Sequence, residues 1–129
     1  MAPAAPMAAE TARRILALVP HARRFPVGHL RPPTGVIPGF VRSLGELEFV
    51  LLPQADSLPG VHLERLAAWI ETDVGDPAGA AEVRDAVAAA PSYVEACLAV
   101  YERLRDRLAC ARRVLASAPS DESPEGRAS

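Results

Sequence analysis

The chain has 129 residues, one domain's worth, with 14 basic and 16 acidic side chains and a net charge of −2. Half of it is apolar, but 25 residues are Ala, so a core must come largely from Leu (14) and Val (12). All 14 basic residues are Arg, and neither Lys nor Asn occurs. That excludes a Schiff-base or P-loop lysine and N-glycosylation, and the slightly acidic balance argues against sequence-independent nucleic-acid binding, which requires clustered cations.

In chain order, residues 1–7 read as a flexible lead, 8–117 as a single helical domain and 118–129 as a polar, disordered tail. A first helix is predicted over 8–19, with Ala12, Ile15, Leu16 and Val19 on one face and Pro20 as its stop. Residues 20–39 hold Pro20, Pro26, Pro32, Pro33 and Pro38, which forbid a regular helix. This stretch reads as an irregular strap, basic throughout, with Phe25, Val27, Leu30, Val36 and Ile37 available to dock it on a helical body.

A second helix is predicted over 40–52 from Phe40, Val41, Leu44, Leu47 and Leu51, with a short strand over Leu47–Leu52 as the alternative. A third is predicted over 58–73, capped by Ser57, with Leu63, Leu66, Ala67, Ile70 and Val74 inward. Gly75 suits a left-handed closure, and Asp76-Pro77 reads as an N-cap followed by Pro at the first helical position. The fourth helix, 77–90, buries Ala80, Val83 and Val87. Ser92 and Glu95 form a capping box for a fifth, 93–117, whose Cys97, Tyr101, Leu104, Leu108, Ala111 and Leu115 repeat as a heptad seam. The expected fold is therefore all-α: a four- to five-helix antiparallel bundle, roughly 60% helical, crossed by the Pro-rich strap.

Cys97 and Cys110 lie 13 residues apart in one predicted helix, hence roughly 20 Å apart, beyond disulfide reach. Free thiols point to a reducing compartment, the cytoplasm. No run approaches the roughly 20 apolar residues of a membrane span. Arg13-Arg14 precede an apolar run that stops at Pro20, too short for an export signal, so neither export nor a membrane partner is expected.

Four groups of residues carry possible chemistry. Glu71, Asp73 and Asp76 are the densest acids, but they lack the ligand spacing of a calcium loop, so no metal and no cofactor is expected. His62, Arg65, Trp69 and Asp73 fall on one side of the third helix, and Trp beside Arg is a pairing enriched in protein contacts. His21, Arg23, Arg24, His29 and Arg31 of the strap read first as a solvated basic loop and, as the alternative, an anion site. On the last helix, neighbours of about 14 residues leave the end from Leu108 to Leu115 uncovered, with Arg107, Arg112 and Arg113 at its rim. That end is expected to bind a protein or a second copy.

No pair of catalytic groups stands out. Residues 47–69, with Leu47-Glu48-Phe49, a Pro turn, His62-Leu63 and Trp69, resemble the all-helical chaperones that mature molybdenum oxidoreductases. The resemblance implies an accessory protein and assigns no residue a role. The expected function is a small cytoplasmic, bacterial accessory or interaction protein acting by binding another protein. The alternative is a small enzyme or ligand sensor with the His/Arg strap over an apolar pocket.

Overall fold

The computed structural model describes residues 7–54 and 57–117. Their chain order is α1 (Ala9–Leu16), a 3-10 turn (His21–Arg23), β1 (Phe25–Arg31), β2 (Gly35–Val41), α2 (Leu44–Leu51), β3 (Leu58–Gly60), α3 (Leu63–Trp69), a π-helical turn (Ile70–Val74), α4 (Pro77–Ala89) and α5 (Tyr93–Ser117). The predicted all-α bundle is overturned: five α-helices share the described residues with a three-stranded antiparallel sheet, 63% helix and 17% strand. The disordered tail and all of the flexible lead but Met7 lie outside the described residues, and Met7 packs against the core.

The helices follow their apolar spacing. Leu66, Ala67 and Ile70, Ala80 and Val83, and Val100, Leu104, Leu108 and Ala111 are all buried in one core. Gly75 closes the π-helical turn with φ +82°, a region open to Gly because it has no Cβ. Asp76 caps α4 by accepting the Gly79 N–H at 3.2 Å, and Ser92 caps α5 by accepting the Glu95 N–H at 3.2 Å. The third helix starts later than predicted, because Leu58–Gly60 pair with β1. Its cap is His62, whose Nδ1 accepts the Arg65 N–H at 3.3 Å, in place of Ser57. The second helix also starts later, at Leu44, and its helical form holds through Leu51, so the strand alternative for Leu47–Leu52 is set aside. Ser43 is its cap, accepting the Glu46 N–H at 3.1 Å, while Glu46 accepts the Arg42 N–H at 2.6 Å.

The Pro-rich strap is the β1–β2 hairpin, and its register explains how proline is tolerated. Phe25 pairs with Val41 and Arg31 with Gly35, so Pro26 stands opposite Phe40 and Pro38 opposite Gly28. Both prolines fall in the same alternate set of pairs. In that set the backbone nitrogens point away from the partner strand, where no N–H is needed. The third strand keeps the rule: Gly28 pairs with Gly60 and Leu30 with Leu58, which leaves Pro59 in the set turned outward. Pro38 thus faces the open edge of β2, and Pro59 the open edge of β3.

The sheet is anchored at its base. Phe25 and Val41 are buried, and Val27 packs against the core. His29 is hydrogen-bonded through Nε2 to the Val50 carbonyl at 3.1 Å. These residues alternate along the strands and form the inner face, turned toward α2.

Candidate protein-docking face

The opposite face of the sheet carries Pro26, Gly28 and Leu30 from β1, Val36, Pro38 and Phe40 from β2, and Leu58 and Gly60 from β3. Every one of these is apolar or Gly. An antiparallel sheet with one face in water ordinarily alternates apolar and polar residues. Here His29 and Arg31 fall on the inner side, and the wholly apolar outer side is uncovered: Val36 is 67% exposed and Phe40 50%, with Leu30 and Leu58 also exposed. Round the edge of β2 the apolar surface continues to Phe49 of α2, 70% exposed, across an open groove that Phe40 and Phe49 both line. Sequence reasoning missed Pro38, Phe40 and Leu58 as parts of one face. The signal was the two-residue spacing of Pro26, Gly28 and Leu30 and of Val36, Pro38 and Phe40; with Val27, Ile37 and Gly39 between them and His29 alone polar, no alternation marked a strand.

The basic residues of the strap do not converge. His21 and Arg24 gather at Phe40: the His21 ring meets it edge-on at 5.2 Å, and the Arg24 guanidinium lies 5.1 Å from its centre. Arg24 also donates to the His21 carbonyl at 2.9 Å. Arg23 turns away to Asp73, 3.7 Å distant, so the basic strap meets the acidic cluster of the π-helical turn there. His29 and Arg31 reach the far end of α2, Arg31 donating to Gln54 at 3.4 Å. The five residues therefore form no single anion pocket, nor do they stand over an apolar cavity.

The predicted third-helix surface is divided as well. His62 and Arg65 are exposed, but Trp69 is 5% exposed and faces inward. Its indole Nε1 donates to the Arg23 carbonyl at 2.6 Å, and its ring packs on Phe25 with 5.4 Å between centres. Trp69 thus joins the helical body to the base of the hairpin. Glu71, Asp73 and Asp76 each have a cationic partner, Arg84, Arg23 and Arg107. Among the described residues no three His, Cys, Asp or Glu side chains are placed to hold a metal ion.

On α5, Leu108 is completely buried, Leu115 is partly buried, and Arg112 is exposed. The second half of α5 has α1 beside it: Met7, Thr11 and Arg14 share a cleft with Arg107 and Cys110. Arg107, expected at a polar rim, forms a two-pronged ion pair with Asp76, both bonds 2.6 Å. This pairing pushes the guanidinium above its ordinary pKa, against the opposing effect of burial. Asp76 is fully buried, so the pair clamps the start of α4 to the middle of α5.

A small apolar pocket of about 140 Å³ lies between β3 and the start of α5, lined among others by Leu51, Leu58, Tyr93, Cys97 and Leu98. The Tyr93 hydroxyl accepts the Val61 N–H at 2.8 Å and has the Pro59 carbonyl, 2.7 Å away, as acceptor. Burial raises the Tyr93 pKa to about 12 and pushes the Cys97 thiol up as well. A thiol kept protonated in an apolar wall behaves as a small hydrophobe, not a nucleophile.

No known protein family, curated protein or solved structure matches the chain. The resemblance of residues 47–69 to all-helical chaperones gains nothing from these comparisons. Its implied fold is also contradicted, since β3 occupies Leu58–Gly60 within that segment. No helix among the described residues is long and apolar enough to cross a membrane.

Proposed function

We propose that this chain is a small accessory protein that acts in the cytoplasm by binding another protein, and that it does so through the outer face of its sheet. One observation carries the reading. All eight positions of that face are apolar or Gly, while the contact with the core is made from the opposite face at Phe25, Val27 and Val41. Such a contiguous uncovered surface is characteristic of interaction sites. Phe40, with Arg24 against its ring, supplies the aromatic and Arg anchors that dominate binding energy at such sites. Two free cysteines, Cys97 and Cys110, carried on one helix and unable to pair with each other, support the proposed compartment.

The test is site-specific photo-crosslinking in the native cell, with a photoreactive side chain at Val36 and, as control, at the exposed Arg103 on α5. The expected result is a discrete adduct with one other protein from position 36 and none from position 103. An adduct only with a second copy, or equal labelling at the two positions, would overturn the reading.

A further inference from the structure

Resting on that docking face, we propose that the segment it receives is an amphipathic α-helix with an acidic flank, laid across the sheet with its carboxylates at Arg24. Three observations specify this occupant.

The sheet edges reject an added strand. The backbone groups that β2 turns outward belong to Val36, Pro38 and Phe40, and Pro38 has no N–H to donate. β3 is three residues long and turns Pro59 outward. A continuous ladder cannot form at either edge. The partner must therefore engage side chains on the face.

The dimensions fit a helix. At about 3.3 Å per residue and about 4.8 Å between strands, the seven-residue β1 and β2 present a face about 23 Å long, widened to about 10 Å where the three-residue β3 pairs with Gly28–Leu30. A helix about 10 Å across fills that width, and about 15 residues at 1.5 Å each span its length.

The margin of the face is cationic. Between Thr11 and Gly45 the chain has six Arg, two His and no acidic residue. Two Arg of this stretch have carboxylate partners, Arg14 with Glu10 and Arg23 with Asp73, while Arg31 and Arg42 donate to the neutral Gln54 side chain and Val19 carbonyl. Arg24, at the end of the apolar row, has no carboxylate partner among the described residues. Glu46, which lines the groove toward Phe49, is engaged by the Arg42 N–H. A second copy placed on the same face would offer Arg24 the Glu46 carboxylate, already engaged by its own Arg42 N–H, in place of a free one. An acidic helix supplies one, with the planar geometry that guanidinium favours.

The experiment uses the full chain, isotope-labelled, at about 0.15 M salt, where exposed charges beyond about 8 Å are screened. Two synthetic helical peptides share the same Leu face at i, i+3, i+4 and i+7 and differ only in flanking Glu or Lys. The Glu peptide should shift the amides of Leu30, Val36, Phe40 and Leu58 and bind at least tenfold more tightly than the Lys peptide. Arg24→Glu, at an exposed site, should reverse the order, and Val36→Asp should abolish both. Equal affinity for the two peptides, or shifts confined to other residues, would overturn the acidic helix while leaving a crosslinked partner at Val36 intact. Sedimentation showing a dimer that Val36→Asp dissolves would overturn both readings. Binding to phosphatidylglycerol vesicles that Val36→Asp abolishes, with neither peptide bound, would do the same.

Discussion

Around α5, apolar side chains meet one another; on the sheet, half of them meet water. Leu104, Leu108 and Ala111 are enclosed by neighbouring helices, whereas Val36 and Phe40 stand exposed on a strand that is buried only at Val41. The same kinds of residue thus do different things. In the helical body they stabilise the fold; on the outer sheet they contribute little to it and remain available. The joint between the regions is made by Phe25, Val27, Val41 and Trp69, the His29–Val50 hydrogen bond and the bond from Tyr93 to the Pro59 carbonyl.

The largest expected contrast comes from placing a charge in each region. Leu108→Glu buries an unpaired carboxylate at a site with no exposure and should prevent folding, read as loss of the helical circular dichroism signal. Val36→Glu should alter stability by no more than about 0.5 kcal/mol in urea titration. If Leu108→Glu together with Leu115→Glu leaves the domain folded, the seam of α5 belongs to an interface and the distinction drawn here is wrong.

The helical body depends on its internal ion pair. Asp76→Ala removes the cap of α4 and strands the Arg107 guanidinium in a largely buried site, an expected loss of about 3–5 kcal/mol. Arg112→Ala, an exposed change on the same helix, should cost almost nothing. Gly79→Ala should also destabilise, by about 1–3 kcal/mol, although Ala ordinarily improves a helix. The added Cβ would collide with the Asp76 carboxylate and lie 2.8 Å from Arg107 Nε.

The joint is tested more gently. Trp69→Phe keeps the ring against Phe25 but removes the bond to the Arg23 carbonyl, for an expected loss of about 1 kcal/mol by denaturant titration. The amide shifts it causes should centre on the 3-10 turn and the base of β1.

The smallest effect is a pH dependence at Tyr93. Its hydroxyl titrates at about 12 in the folded chain and near 10 when unfolded. Folding therefore favours the protonated form, so the contribution is complete below pH 10 and is lost as the pH rises from 10 to 12. Urea midpoints between pH 9 and 12 should fall in the wild type and stay flatter in Tyr93→Phe. A steeper fall in the variant would remove Tyr93 as the cause.

The sequence by itself determined α4, α5 and the buried stripe of α3. Local chemistry suffices for them: a 3.6-residue apolar period, Asp76 before Pro77, Gly75 at a left-handed closure, Ser92 and Glu95 at the start of α5. Tertiary structure alone decided the rest. The strap became strands because the nitrogens of Pro26, Pro38 and Pro59 all point away from a paired neighbour, and that depends on register, which joins residues far apart in the chain. Trp69 and Arg107 looked like contact residues on single helices, yet the first bonds to Arg23 and the second to Asp76, 46 and 31 positions away. The outer face was hidden for the same reason. An apolar residue on a strand is core or surface according to what packs against each side of the sheet, and no local pattern carries that information.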